Sequence, residues 1–138
     1  MIKQYKDYNI FLEICDKLKE VKDGELSEKS LYGYMTAGIY NKKVFTFASH
    51  DKGKMNGCLV LTLVEINQIM GLDILFVWLD AHYPKLFKEY IAFIDKKAKE
   101  YKTKRIISIT KKSVKLIERK YGKYGYKKVY NIFVKEVI

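Results

Sequence analysis

Proline occurs once in this chain of 138 residues, tryptophan once, and cysteine and histidine twice each. The cysteines, Cys15 and Cys58, are far apart and form no C-x-x-C, which removes a redox motif. Both lie in apolar surroundings and are expected as buried free thiols in a reducing compartment. His50 and His82 add no ligand spacing to them, so no metal site is expected. Long apolar runs are also missing. The opening segment MIKQYKDYNIFLEICDK has charges inside each hydrophobic stretch, which argues against a secretory signal or a membrane span and for a cytoplasmic protein. There is no repeat, linker or low-complexity stretch, so residues 1–138 are expected to form one domain.

Acidic residues are scarce in one half only. Residues 1–80 carry 10 basic and 11 acidic side chains, a balance of −1, whereas residues 81–138 carry 17 and 5, a balance of +12. One half of the fold should therefore be electropositive, which favours nucleic acid, an acidic partner or the phosphates of a cofactor; a plain lysine-rich surface stays open as the alternative.

What is present is a globular composition, 49% hydrophobic and 31% charged, with clear periodicity. A short strand at residues 2–6 precedes a helix from Tyr8 to Val21, with Ile10, Phe11, Ile14, Leu18 and Val21 on one face. Gly24 suits a helix end and Ser27 a cap for the next helix, SEKSLYGYMTAGIYN, which Gly33 and Gly38 should keep short with a loose tail. Three β-rich runs follow: Val44–Ser49, Gly57–Ile66 and Leu72–Leu79. The third is apolar on both alternating faces, as in a central strand covered on both sides. PKLFKEYIAFIDKKAKEY is an amphipathic helix opened by Pro84. KRIISIT is a strand, KKSVKLIERKYG a shorter helix, and YKKVYNIFVKEV a closing strand. The long helical connection makes Leu72–Leu79 and Lys104–Thr110 parallel neighbours, and the strands before them an antiparallel meander.

Two segments carry a family likeness. LIERKYGKYGYKKV has an aliphatic residue before Tyr121, then Gly125 and Tyr126 at the head of the last hairpin. ILFVWLDAHYPKLFKEYIAFIDKKAKEYKTKRIISI joins a strand, a turn and a long helix. With the element order, they resemble the GNAT acyltransferase superfamily over nearly the whole chain. The resemblance implies an α/β fold: a mixed sheet of about six strands flanked by helices, with a splayed parallel pair at its centre. It also implies an acetyl-CoA-dependent N-acyltransferase that passes an acetyl group to an amine. The pantetheine arm would pair with the backbone of Val77, Trp78 and Leu79, facing the strand Arg105–Ile109. Tyr121 matches the tyrosine that protonates the departing sulfur, and Glu65 is a candidate base for the incoming amine; packing for Tyr121 and ion pairing for Glu65 remain open.

The turn departs from the family pattern. Where the family places an Arg or Gln and then glycines around the pyrophosphate, this chain has AHYPKLFKEY. The cofactor would there meet Lys85, Leu86, Phe87 and Lys88. Pro84 removes a donor, the bulky Leu86 and Phe87 limit close approach, and the two lysines offer charge without a backbone cradle. Near the start of the late helix, Ser113 lies one position out of register with the family's Asn or Ser, and Val114 takes the matching place. Weak acetyl-CoA binding is expected.

A second function therefore stands beside the first: a GNAT-fold protein without catalysis, serving as an interaction or nucleic-acid-associated module through residues 81–138. Small chains of this kind encoded by tailed bacteriophages are similar. His82 at the cleft mouth reads as a base, an anion ligand or a solvated loop residue. Asp80 reads as a base or, more simply, as the cap of the following helix, and Trp78 as core.

Overall fold

The protein was analysed as a computed structural model that describes residues 1–21, 26–109, 122–129 and 132–137. Helical spacing produces α1 (Tyr8–Leu18), which buries Phe11, Ile14, Cys15 and Leu18 along one face. Asp7 starts it by accepting a hydrogen bond from the Asn9 N–H at 2.8 Å. Ser27 opens α2 (Glu28–Asn41) in the same way, its hydroxyl accepting from the Ser30 N–H at 3.1 Å. Gly33 and Gly38 do not cut this helix short. It runs on to a left-handed Lys42, and Gly38 serves close packing, because a Cβ there would collide with the Val44 carbonyl. Gly24 and the late helix lie outside the described residues.

Among the described residues, seven strands form one sheet: β1 (Lys3–Gln4), β2 (Val44–Asp51), β3 (Lys54–Ile66), β4 (Ile69–Leu79), β5 (Arg105–Ile109), β6 (Lys127–Val129) and β7 (Ile132–Glu136), in the order β1-β2-β3-β4-β5-β7-β6. The parallel pair is β4–β5, joined by α3 (Leu86–Glu100); the other pairs are antiparallel. The closing segment, expected as one strand, is a hairpin with Val129 opposite Ile132. Among the described residues, no helix is long and apolar enough to cross a membrane.

Alternation along the strands builds a core on each face of the sheet. On one face α3 packs Leu86, Tyr90, Ile91, Ile94 and Ala98 against Phe47, Leu59, Leu61, Leu72 and Ile106. On the other, α1 and α2 pack against Ala48, Cys58, Val60 and Phe76. Cys15 and Cys58 are both buried and free.

The alternation breaks once in β4. Val60 of β3 faces Phe76 and Leu61 faces Ile74, so Leu75 is an extra residue, a β-bulge. Ile74 belongs to the α3 core, Leu75 and Phe76 both turn to the α1–α2 core, and Val77 returns to the α3 side. The bulge re-aims β4 just where it leaves β5. Parallel pairing runs only through Gly71–Arg105, Leu72–Ile106 and Asp73–Ile107, and the strands then part.

One polar strut holds α3 over this opening. Ser49 donates to the Asn56 side-chain oxygen at 2.6 Å, which leaves the Tyr90 hydroxyl to donate to Ser49 at 2.7 Å. Burial pushes the Tyr90 phenol upward, so it stays protonated and structural. The ring passes over Gly57, where a Cβ would come within 2.8 Å of the phenol oxygen and 2.9 Å of two ring carbons. Gly57→Ala is therefore expected to cost about 1–3 kcal/mol by overpacking, read as a lower denaturation midpoint. Gly33→Ala, in a helix with nothing within 4 Å of its Cβ position, is expected to gain about 0.5–1 kcal/mol. Equal effects of the two substitutions would contradict the strut.

Candidate functional site

Where β4 and β5 part, a cavity of about 220 Å³ opens. Ile74, Val77 and Leu79 of β4 and Ser108 of β5 form its sides, and Phe87, Tyr90, Ile91 and Ile94 of α3 roof it. Trp78 and Val21 reach it from the other face, so the slot passes through the plane of the sheet. Beyond Asp73, the edge of β4 that would face β5 has no strand partner among the described residues, while the opposite edge stays bonded to β3 as far as Leu79. The slot thus offers an apolar channel beside a strand edge that no described strand pairs, a surface on which an extended ligand can lie like an added strand.

The structure brings several of the sequence-derived residues together here. Val77, Trp78, Leu79 and Phe87 line the slot. Trp78 is not plain core: it is half-buried, its indole N–H donates to the Glu20 carboxylate at 2.8 Å, and the Lys17 ammonium lies 4.4 Å from its ring centroid. Lys85 and Lys88 are exposed beside the mouth, on and just before the first turn of α3. Leu86 is buried in the α3 core, where an apolar helix-start residue belongs, and is not among the residues that line the slot. Glu65 is not brought to the slot. It pairs with Met70 at the exposed tip of the β3–β4 hairpin, the end of the ladder opposite the opening, because β4 starts at Ile69, before its expected start at Leu72. Ser113 and Tyr121 lie outside the described residues.

The turn after β4 engages several of its own donors. Asp80 accepts from the His82 N–H at 2.9 Å and from the His82 ring at 2.7 Å, bonds that hold its carboxyl below the usual range. The Tyr83 N–H bonds to the Asp80 carbonyl and the Leu86 N–H to the Tyr83 carbonyl, each at 3.0 Å; Pro84 has no N–H. Asp80 therefore closes this turn instead of capping α3, whose N-cap, Lys85, makes no side-chain bond. The Tyr83 hydroxyl donates to Asp51 at 2.7 Å, which brings a second carboxylate to the turn. Three of the turn's N–H groups are thus engaged within it, and two carboxylates stand beside it.

One carboxylate escaped the sequence reading. Asp73 is in the last residue pair before the strands part, next to slot-lining Ile74 and, by alternation, on the α1–α2 face. Its Oδ1 is buried and finds no hydrogen-bond partner, and burial pushes the carboxyl up to about 6. The signal was a lone acid inside the apolar run LDILFVWL. Among the described residues no cluster of His, Cys, Asp or Glu could hold a metal ion.

No protein-family model and no curated protein sequence matches the chain. Solved structures match it in fold. A protein assigned to the GNAT-family acetyltransferases of Desulfovibrio desulfuricans is 9% identical, with a TM-score of 0.82 over 100% of this chain and 99% of that one. The PaiA N-acetyltransferase of Thermoplasma acidophilum, solved with coenzyme A, is 14% identical, with a TM-score of 0.70 over 99% of each chain. The ribosomal-protein-S18-alanine N-acetyltransferase of Escherichia coli is 11% identical, with a TM-score of 0.73 over 99% of this chain and 93% of that one. The fold is that of the GNAT acetyltransferases, as the sequence resemblance implied, and the parted strands are its centre.

Asp73 also makes a prediction about stability. Its folded-state pKa, about 6, lies above the reference 3.8, so its neutral form stabilises the fold at low pH, and that contribution is lost as pH rises through about 6. At pH 7 the buried charge costs about 1–3 kcal/mol, from 1.36 kcal/mol per unit. Asp73→Asn should therefore be more stable than the parent by about that amount at pH 7, and the gap should close near pH 4. Denaturant unfolding at the two pH values checks this; a gap independent of pH would contradict it.

Proposed function

We propose that this chain is a GNAT-fold N-acyltransferase that passes an acetyl group from a thioester, acetyl-CoA in the simplest case, to an amine. The observation that carries the reading is the slot: an apolar channel where a bulged strand leaves its parallel neighbour, bordered by a strand edge that no described strand pairs. Coenzyme A is present in the PaiA structure, which supports an acyl-CoA donor for the shared fold.

The donor supplies the activated acyl group. In the reaction the amine nitrogen bonds to the thioester carbonyl carbon, the C–S bond breaks, the nitrogen loses a proton and the sulfur leaves as a thiol. The residues present here supply position and proton transfer. Backbone groups of Val77, Trp78 and Leu79 align the arm and its carbonyl, and the walls of the slot exclude water, which strengthens every polar contact inside it. Asp73 receives the amine proton: it stands at the closed end of the opening, is poorly solvated, and titrates near working pH, where general-base efficiency is greatest. Glu65, at the hairpin tip, is replaced in that role. Tyr121 remains the candidate donor of the proton to sulfur.

Release of free thiol from acetyl-CoA, measured over a panel of primary amines, tests the proposal. The rate should rise with pH through about 6 as Asp73 ionises. Asp73→Asn should lower it by about 10²–10⁴-fold and abolish that limb of the profile, and Tyr121→Phe should lower it by about 10²-fold. If no amine gives thiol release the reading fails, and an unchanged profile in Asp73→Asn would remove that residue from it.

A further inference from the structure

We infer that the acyl donor of this chain is the phosphopantetheine arm of an acidic carrier protein, docked on the lysines around the slot mouth, and not a nucleotide-bearing thioester. This rests on the acyl-transfer reading above and narrows its donor.

The two halves of a nucleotide-bearing donor meet opposite conditions. The arm has a seat in the unpaired edge of β4 and an apolar channel of about 220 Å³. That volume is below the roughly 300–1,000 Å³ of pockets that enclose drug-sized ligands, so it suits a linear chain. The nucleotide is less well met. The arm's own phosphate is the inner one of the pyrophosphate; at the turn beyond it, where the outer phosphate would lie, the N–H groups of His82, Tyr83 and Leu86 are already bonded within the turn and Pro84 has none. Asp80 and Asp51 add like-charge repulsion, the second held at the turn by Tyr83.

Three lysines also stand around the mouth. Lys85 and Lys88 are exposed on either side of slot-lining Phe87. Lys123 joins them: its ammonium is 5.4 Å from the Tyr124 ring centroid, and that ring lies 5.6 Å from Phe87. None of the three lysines makes an ion pair among the described residues. Lysines here are mobile point charges. They suit the single phosphate at the root of the arm and the acidic surface of the protein that bears it, and they would steer that protein to the mouth. The carrier's surface then supplies the remote binding energy that a nucleotide would otherwise contribute.

Calorimetric titration of the full chain with coenzyme A, 4′-phosphopantetheine, and an acidic acyl carrier protein with and without its arm tests this. The nucleotide should add nothing: coenzyme A and 4′-phosphopantetheine should agree within about threefold in Kd. The armed carrier should bind at least about tenfold tighter than either, and than the carrier without its arm. Lys85→Glu, Lys88→Glu and Lys123→Glu together should weaken the armed carrier by about tenfold or more. Coenzyme A binding more than about tenfold tighter than 4′-phosphopantetheine would overturn the inference and leave the acyl-transfer reading standing. Equal binding of the armed and bare carriers would overturn it too, leaving the lysines a general anion surface. If neither coenzyme A, 4′-phosphopantetheine nor the armed carrier binds, both readings fall.

Discussion

The structure turns on the loss of pairing between two parallel strands. β4 and β5 stay together for three residue pairs, up to Asp73 and Ile107, and the extra residue Leu75 then swings β4 away. Backbone groups left without partners inside a protein cost free energy comparable to a lost hydrogen bond, so a parting at mid-sheet has to be held open by the surrounding structure. Here β3 keeps the far edge of β4 bonded to its end, and α3 spans the gap, fixed by the Tyr90–Ser49–Asn56 chain of hydrogen bonds. The room that Gly57 leaves for Tyr90 is part of the same arrangement.

Much of this was legible in the sequence. Apolar spacing located α1 and α3, Ser27 marked the start of α2, and the length of the connection after Leu79 required a parallel pair. What stayed hidden has physical causes. In ILFVWL every residue is apolar, so a shift in phase leaves no trace in the pattern, and the bulge at Leu75 cannot be read from it. Gly38 looked like a helix breaker because close packing against Val44 is a tertiary fact. The turn at Asp80 did carry a signal, an Asp two residues before a His in a segment with proline, which is the pattern of a side chain bonding its own backbone. Glu65 drew attention because the family draws bases from this sheet, yet the ladder carries it to the exposed hairpin tip.

Charge is placed against stability at one point beside the slot. Asp73 sits where water is scarce and no donor meets its Oδ1, a position that a sequence chosen for stability alone would fill with an apolar or amide side chain. The turn at the head of α3 shows the reverse: its carboxylates are satisfied by local donors, and three of its N–H groups bond within it.

Residue-resolved amide hydrogen exchange, with and without saturating coenzyme A, addresses that contrast most directly. The account holds that ligand lies along β4 and leaves the following turn alone. Amides in Leu75–Leu79 that β3 does not engage should exchange faster than their neighbours in the free protein and slow when coenzyme A is added, while those of Ala81–Leu86 keep their rates. Slowing confined to Ala81–Leu86, with β4 unaffected, would contradict it.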